Sequence, residues 1–365
     1  MFNISQEKSL FRKNLETLLL SFPLLLLLGV AIEVILGPFW PQGMTHYHRW
    51  VRFLVNVVCL NGIHIIFTFV MIGQLPELQN WARKKSPHIW TYIWLGVGTL
   101  ASIIAFSGSY FKVESPLRSL GAQLLFIAAI ILPSYHNVWQ IRGLALSYRQ
   151  KETHSAEARH KIIFYDKLFY YALFASYCLL LLSMFGWTLP WSQNFHPLWT
   201  QLSESGWLFK IKQIATLLCA FCAAGLLWRA LRNPQKNKSN LTLYLLRLLL
   251  FPLSAYSYIA LMGVLASHGI EYFVVFKQMI HNSKASQQNK KELYQLTLSA
   301  SFFVFVCSIP GIFLANTTQP ALWIILLSAL GTGINFTHYY LDRILFKMRD
   351  PITREHTGPL LTAKN

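Results

Sequence analysis

The chain has 365 residues, of which 54% are hydrophobic and only 13% charged. Soluble domains carry about 25% charged residues, so an ordinary soluble domain is excluded and an all-α, polytopic integral membrane helical bundle is implied. The net charge of +18 falls mainly in short loops between apolar runs, the pattern of the positive-inside rule. The lipid bilayer is therefore the expected partner, and nucleic acid is not.

The segment 1–17 carries Lys8, Arg12 and Lys13 and is placed in the cytoplasm. The first span is expected over about Leu18–Phe39. Its apolar run is followed by Glu33, Pro38 and Trp40 instead of a small-residue cleavage site, so it is read as retained. Further spans follow over about Val51–Gly73, Ile89–Ser107, Leu117–Ile141, Leu168–Trp187 and Phe209–Leu231, near the length of about 20 residues that crosses a bilayer. Glu77–Pro87 is amphipathic and basic and is expected along the inner surface. Trp40, Trp50, Trp81, Trp90, Trp187, Trp191 and Trp207 stand near span ends and read as interfacial anchors.

The stretch Leu241–Met279 is nearly all apolar. Bases lie on both sides of it, Arg229 to Lys238 before and Lys277 to Lys291 after. If both clusters are cytoplasmic, the stretch crosses twice. Pro252 and the polar group Ser254, Tyr256, Ser257 and Tyr258 supply a break, giving spans over about Leu241–Tyr256 and Tyr258–Phe276. Arg247, inside the first, has to snorkel or pair. Leu296–Ala315 and Ala321–Phe346 complete about ten spans, or nine if 241–279 is one kinked helix. The whole chain, 1–365, reads as one transmembrane domain, with a cytoplasmic tail over 347–365.

Five cysteines lie in apolar stretches and imply no disulfide framework. Cys219-x-x-Cys222 sits in a run of small residues and reads as helix packing.

Four histidines carry the functional signal. His64, His136, His268 and His338 fall on spans two, four, eight and ten, and each has a polar residue about one helical turn away. With the N-terminus inside, all four helices run in the same direction. At 1.5 Å per residue the imidazoles lie roughly 9–15 Å below the inner surface. Asn61, His64 and Thr68 form one stripe, and Asn335, His338 and Asp342 another. Span four adds His136 and Gln140, and span eight adds His268, Glu271 and Tyr272. Ionisable groups at such depth usually mark a site.

Four imidazoles and two carboxylates suit a transition metal, non-haem iron in particular. The expected ligands are His64, His136, His268, His338, Glu271 and Asp342, with both carboxylates also candidates for catalysis. Asn61, Gln140, Tyr272, Asn335 and His281 are expected as partners around them. Two ions would use the whole set. Zinc is a further possibility, and haem held by two histidines another.

The first functional expectation is a membrane metalloenzyme of the bacterial inner membrane, a non-haem mono- or diiron oxygenase, hydroxylase or desaturase. It would act on a lipid-like substrate and draw electrons from a separate donor protein. Integral-membrane non-haem iron oxygenases share these ingredients by analogy. The H-x-x-H-H boxes of membrane desaturases, an H-E-x-x-H motif and a Walker A loop are absent. A proton- or metal-coupled transporter could use the same residues. A haem-binding membrane protein and a non-catalytic scaffold are the remaining alternatives.

Overall fold

The computed structural model describes residues 4–36, 64–111, 116–149, 156–185, 206–232, 238–299, 322–347 and 350–361. Within these ranges the chain is helical, and no strand occurs among the described residues. In chain order the helices are α1 (Ile4–Leu36), α2 (His64–Gln74), α3 (Pro76–Lys85), α4 (His88–Phe111), α5 (Pro116–Arg149), α6 (Ala156–Phe185) and α7 (Trp207–Arg232). Then come α8 (Lys238–Leu245), α9 (Tyr258–Asn282), α10 (287–299), α11 (Leu322–Leu345) and α12 (Pro351–Leu361). The start of the second expected span with Asn61, most of the ninth, and the segment with Trp187 and Trp191 lie outside the described residues.

Four helical segments among the described residues are long and apolar enough to cross a membrane: Thr17–Ile35, Ile162–Met184, Trp207–Arg232 and Tyr258–Asn282. They match the first, fifth, sixth and eighth expected spans. His64–Gln74 and Asn240–Leu253 are shorter apolar helices. Several helices outrun the expected spans: α1 begins at Ile4 and α6 at Ala156, while α5 runs on to Arg149 and α9 to Asn282.

The chain divides into two compact units, one of Met1–Val51 with Pro133–His268, the other of Arg52–Leu132 with Gly269–Asn365. The division falls inside α5 and α9.

In the first unit, α6 and α7 pack closely. A Cβ on Gly225 would fall 2.5 Å from Cε1 of Phe169, so a larger residue there would have to displace that ring. Cys219 and Cys222 are buried on α7 beside Ala215, Ala223 and Leu226, in line with the packing reading. Arg229 Nε donates to Asp166 Oδ1 at 2.7 Å, and its Nη2 donates to the Ile162 carbonyl at 3.2 Å.

The expected break at 254–257 is present. From α8 the chain continues through a 3-10 turn, Leu246–Leu249, and a last α turn, Leu250–Leu253, and α9 starts at Tyr258. A new helix begins with backbone N–H groups that have no partner in its own ladder. Here each finds one. Ser257 N–H bonds the Leu253 carbonyl at 3.0 Å. Tyr258 N–H and Ile259 N–H donate to the two carboxylate oxygens of Glu33, at 3.1 and 2.9 Å. Ala260 N–H donates to Ser257 Oγ at 3.0 Å, the geometry of a serine N-cap. Ser257 Oγ in turn bonds Glu33. Glu33 is thus a cap supplied by another helix, and it stabilises the start of the helix that carries His268 and Tyr272.

Of the two courses expected of Arg247, to snorkel or to pair, it takes the second. It is 1% exposed, and its guanidinium lies 5.8 Å from the centre of the Tyr244 ring. A short 3-10 turn and a stack on an aromatic face take the place of a reach to the interface.

In the second unit, α4 and α11 pack along their glycines. A Cβ on Gly98 would fall 2.9 Å from Gly333 Cα, and one on Gly333 would fall 2.2 Å from Thr99 Oγ1. Small residues allow this approach in membranes, and it fixes the helix that bears His338 and Asp342.

Helix α3 is amphipathic as expected, with Leu78, Trp81 and Ala82 buried and Arg83, Lys84 and Lys85 in its last turn. Pro76 opens it, and Ser86 closes it in the left-handed region at φ 45°. Only Leu75 separates it from α2. Trp81 is not the interfacial anchor expected of it. It is fully buried, and its indole N–H donates to Thr353 Oγ1 on α12 at 3.1 Å. Trp90 and Trp207 are exposed.

Part of the expected tail is therefore ordered as α12. Lys84 pairs with Glu355 at 3.1 Å, and Lys85 pairs with Asp350. Glu77 accepts Ser283 Oγ at 2.8 Å and Lys284 N–H at 2.7 Å. Partial burial pushes the Glu77 carboxyl up, but these hydrogen bonds and the Lys284 charge outweigh it and hold the group below the usual glutamate value.

Glu33→Ala should lower the thermal stability of the protein in detergent by about 1–3 kcal/mol, the cost of leaving buried donors unpaired. Glu33→Gln, which keeps one acceptor, should lose less. Equal melting temperatures for all three proteins would remove the capping role.

Candidate metal centre

Each unit holds one histidine pair. In the second unit, His64 opens the described part of α2, with Thr68 one turn further on. His338 and Asp342 stand one turn apart on α11, and Tyr272 is on α9. His64, Thr68, Tyr272, His338 and Asp342 are all buried.

His338 Nε2 and His64 Nε2 lie 3.1 Å apart, with ring centroids at 4.8 Å and the planes nearly perpendicular. Asp342 Oδ2 is 3.5 Å from His338 Nε2. Its other oxygen, Oδ1, accepts the Thr68 hydroxyl at 2.7 Å and the Tyr272 hydroxyl at 2.8 Å. Thr68 Oγ1 also lies 3.1 Å from His338 Nδ1 and in contact with the Tyr272 hydroxyl. Hydrogen bonds to an ionised group are worth about 1.5–3 kcal/mol each, and in an apolar setting they are what makes a carboxylate tolerable.

This spacing suits a metal. With metal–nitrogen bonds of about 2.0–2.1 Å, adjacent nitrogens lie about 2.9 Å apart in an octahedron and about 3.4 Å apart in a tetrahedron. The observed 3.1 Å falls between. Two imidazoles and a carboxylate are also the donors of the facial triad that binds non-haem iron.

In the first unit, His136 on α5 and His268 on α9 have ring centroids 4.6 Å apart, edge to face. Gln140 Nε2 donates to the His268 carbonyl at 3.5 Å, a long contact. Gln140 thus touches the backbone of that histidine and not its ring. Glu271 is buried one turn beyond His268. Among the described residues, His64 with His338 in the second unit and His136 with His268 in the first are the imidazole pairs that could contribute to holding a metal ion.

Other expected partners sit differently. Asn335 hydrogen-bonds Tyr339, one turn along its own helix, and Thr68 Oγ1 is hydrogen-bonded with His338 Nδ1 at 3.1 Å. His281 is exposed, and its carbonyl accepts Lys290 Nζ at 3.0 Å. Thr68 joins the carboxylate, the phenol and the imidazole. The sequence held a trace of this, since Thr68 shares a helical stripe with His64.

No protein-family model, no curated protein and no solved structure matches the chain.

Tyr272→Phe should remove one donor from Asp342 and lower stability by about 1.5–3 kcal/mol. A thermal scan in detergent measures it. An unchanged midpoint would mean that the phenol contributes nothing to holding the carboxylate.

Proposed function

We propose that this protein is an integral membrane metalloenzyme, a non-haem iron oxygenase, hydroxylase or desaturase of the bacterial inner membrane. His64, His136, His268 and His338 are its imidazole ligands, and Asp342 and Glu271 its carboxylates. The observation that carries this reading is the pair of imidazole nitrogens 3.1 Å apart with a carboxylate oxygen 3.5 Å from one of them. His64, His338 and Asp342 give the second unit donors for one ion, and His136 and His268 give the first unit donors for another. Bound iron would supply the activation of oxygen. The chain's own residues bind it, orient the imidazoles and keep bulk water out, since His64, His268 and His338 are buried.

The substrate class follows from the surroundings. A buried polar site within apolar helices is reached most directly from the bilayer, so the substrate is lipid-like. Tyr135 and Trp139, with ring centroids 5.3 Å apart, are candidates to line its path. The composition holds no recognisable flavin or ferredoxin module, so electrons would come from a separate donor protein.

One observation favours a second reading, proton-coupled transport. Asp342, Thr68, His338 and His64 form a continuous hydrogen-bonded run, and such runs also serve proton relays.

Metal analysis of the protein purified in mild detergent separates the two. The metalloenzyme reading expects one or two irons per chain, with iron lost from His64→Ala and from His268→Ala. A folded, metal-free protein whose proteoliposome uptake stops on Glu271→Gln would overturn it in favour of transport.

A further inference from the structure

Thr68 has one proton and two lone pairs to share among three neighbours. Its Oγ1 is 2.7 Å from Asp342 Oδ1 and 3.1 Å from His338 Nδ1, and it touches the Tyr272 hydroxyl. Thr68 Oγ1 donates to Asp342 Oδ1 in its shortest measured contact with the carboxylate and the imidazole, so the Thr68 proton goes to Oδ1. The Tyr272 proton goes to the same oxygen, at 2.8 Å. What Thr68 then presents to His338 Nδ1 is a lone pair. His338 Nδ1 has to carry the hydrogen of that bond, and in a neutral imidazole this leaves the lone pair on Nε2. Nε2 is the atom that faces His64 Nε2 at 3.1 Å and Asp342 Oδ2 at 3.5 Å.

We infer that Thr68 is the positioning residue of this centre. One buried hydroxyl fixes the tautomer of His338 so that its Nε2 lone pair points at the site. The same hydroxyl holds Asp342 by Oδ1, so that Oδ2 lies beside that lone pair. The sequence spacing supports the arrangement. His64 and Thr68 are four residues apart on α2, and His338 and Asp342 are four apart on α11. Each helix therefore offers two groups on one face, and Thr68 is the member of its pair that cannot ligate well but can orient both members of the other. Partners of this kind around a metal site change affinity by about 10–100-fold. The affinity effect rests on the metal reading above; the tautomer does not.

The test uses full-length protein in detergent, as wild type, Thr68→Val and Thr68→Ser. Valine keeps the shape and removes the hydroxyl, and serine restores it. Two quantities are read: the tautomer of His338, from nitrogen-15 histidine resonances of metal-free protein with the signal assigned by its loss in His338→Gln, and the affinity for cobalt(II). The expected result is Nδ1–H on His338 in wild type. In Thr68→Val that preference is lost and cobalt affinity falls about 10–100-fold, and Thr68→Ser recovers both. An Nε2–H tautomer in wild type, or a valine variant that keeps both tautomer and affinity, would overturn the role of Thr68. Wild-type protein with the Nδ1–H tautomer but no cobalt uptake would overturn the metal reading and the affinity effect with it, and would uphold the hold of Thr68 on the ring.

Discussion

A carboxylate enclosed by apolar helices is the constraint on which this site depends. Asp342 is 2% exposed, and hydrocarbon offers it no solvation. Two residues on two other helices supply the compensation, Thr68 and Tyr272, which both donate to Oδ1. Removing a carboxylate from water costs several kcal/mol even after relaxation, so such a group persists where its partners are fixed in advance. A cation among His64, His338 and Asp342 would complete the balance. This is the physical link between burial, the hydrogen-bond geometry and the proposed metal binding.

The elements that fix these partners are structural in their own right. Helix α11 is held against α4 by Gly98 and Gly333, at a separation no side chain would permit. Helix α2 passes through Leu75 into α3, and α3 is tied to α12 through Trp81, Lys84 and Lys85. Phe67, Tyr272, Phe276, Trp81 and Leu345 belong to one buried cluster, so the packing that holds the site is continuous with the packing that holds α3. Helix α9 starts where it does because Glu33 and Ser257 satisfy its first turn.

Much of this was legible in the sequence, and the reasons differ by feature. The helices appear where apolar runs are long, because the span signal is local. The break before Tyr258 could be read from Pro252 and the polar residues after it. The histidines stood out because ionisable groups are rare in such runs, and their neighbours at one helical turn gave Thr68, Tyr272 and Asp342. What escaped reading were pairings between residues far apart in sequence. Glu33 caps a helix more than two hundred residues away in sequence. Trp81 looked like an interfacial anchor, and it fills a core because α12 folds back over it. Local contacts went unnamed too: Arg247, expected to snorkel or to pair, lies over the ring of Tyr244, three residues before it. Asn335 took a neighbour on its own helix, and Thr68 took the place beside His338 for which Asn335 had been the candidate.

Metal analysis with X-ray absorption at the metal edge tests the central claim most directly, on protein purified in mild detergent. The account predicts a first shell of nitrogen and oxygen only, at about 2.0–2.2 Å, with outer-shell scattering from at least two imidazoles that drops in His338→Ala. A first shell containing sulfur, or protein that carries no transition metal while folded, would contradict it.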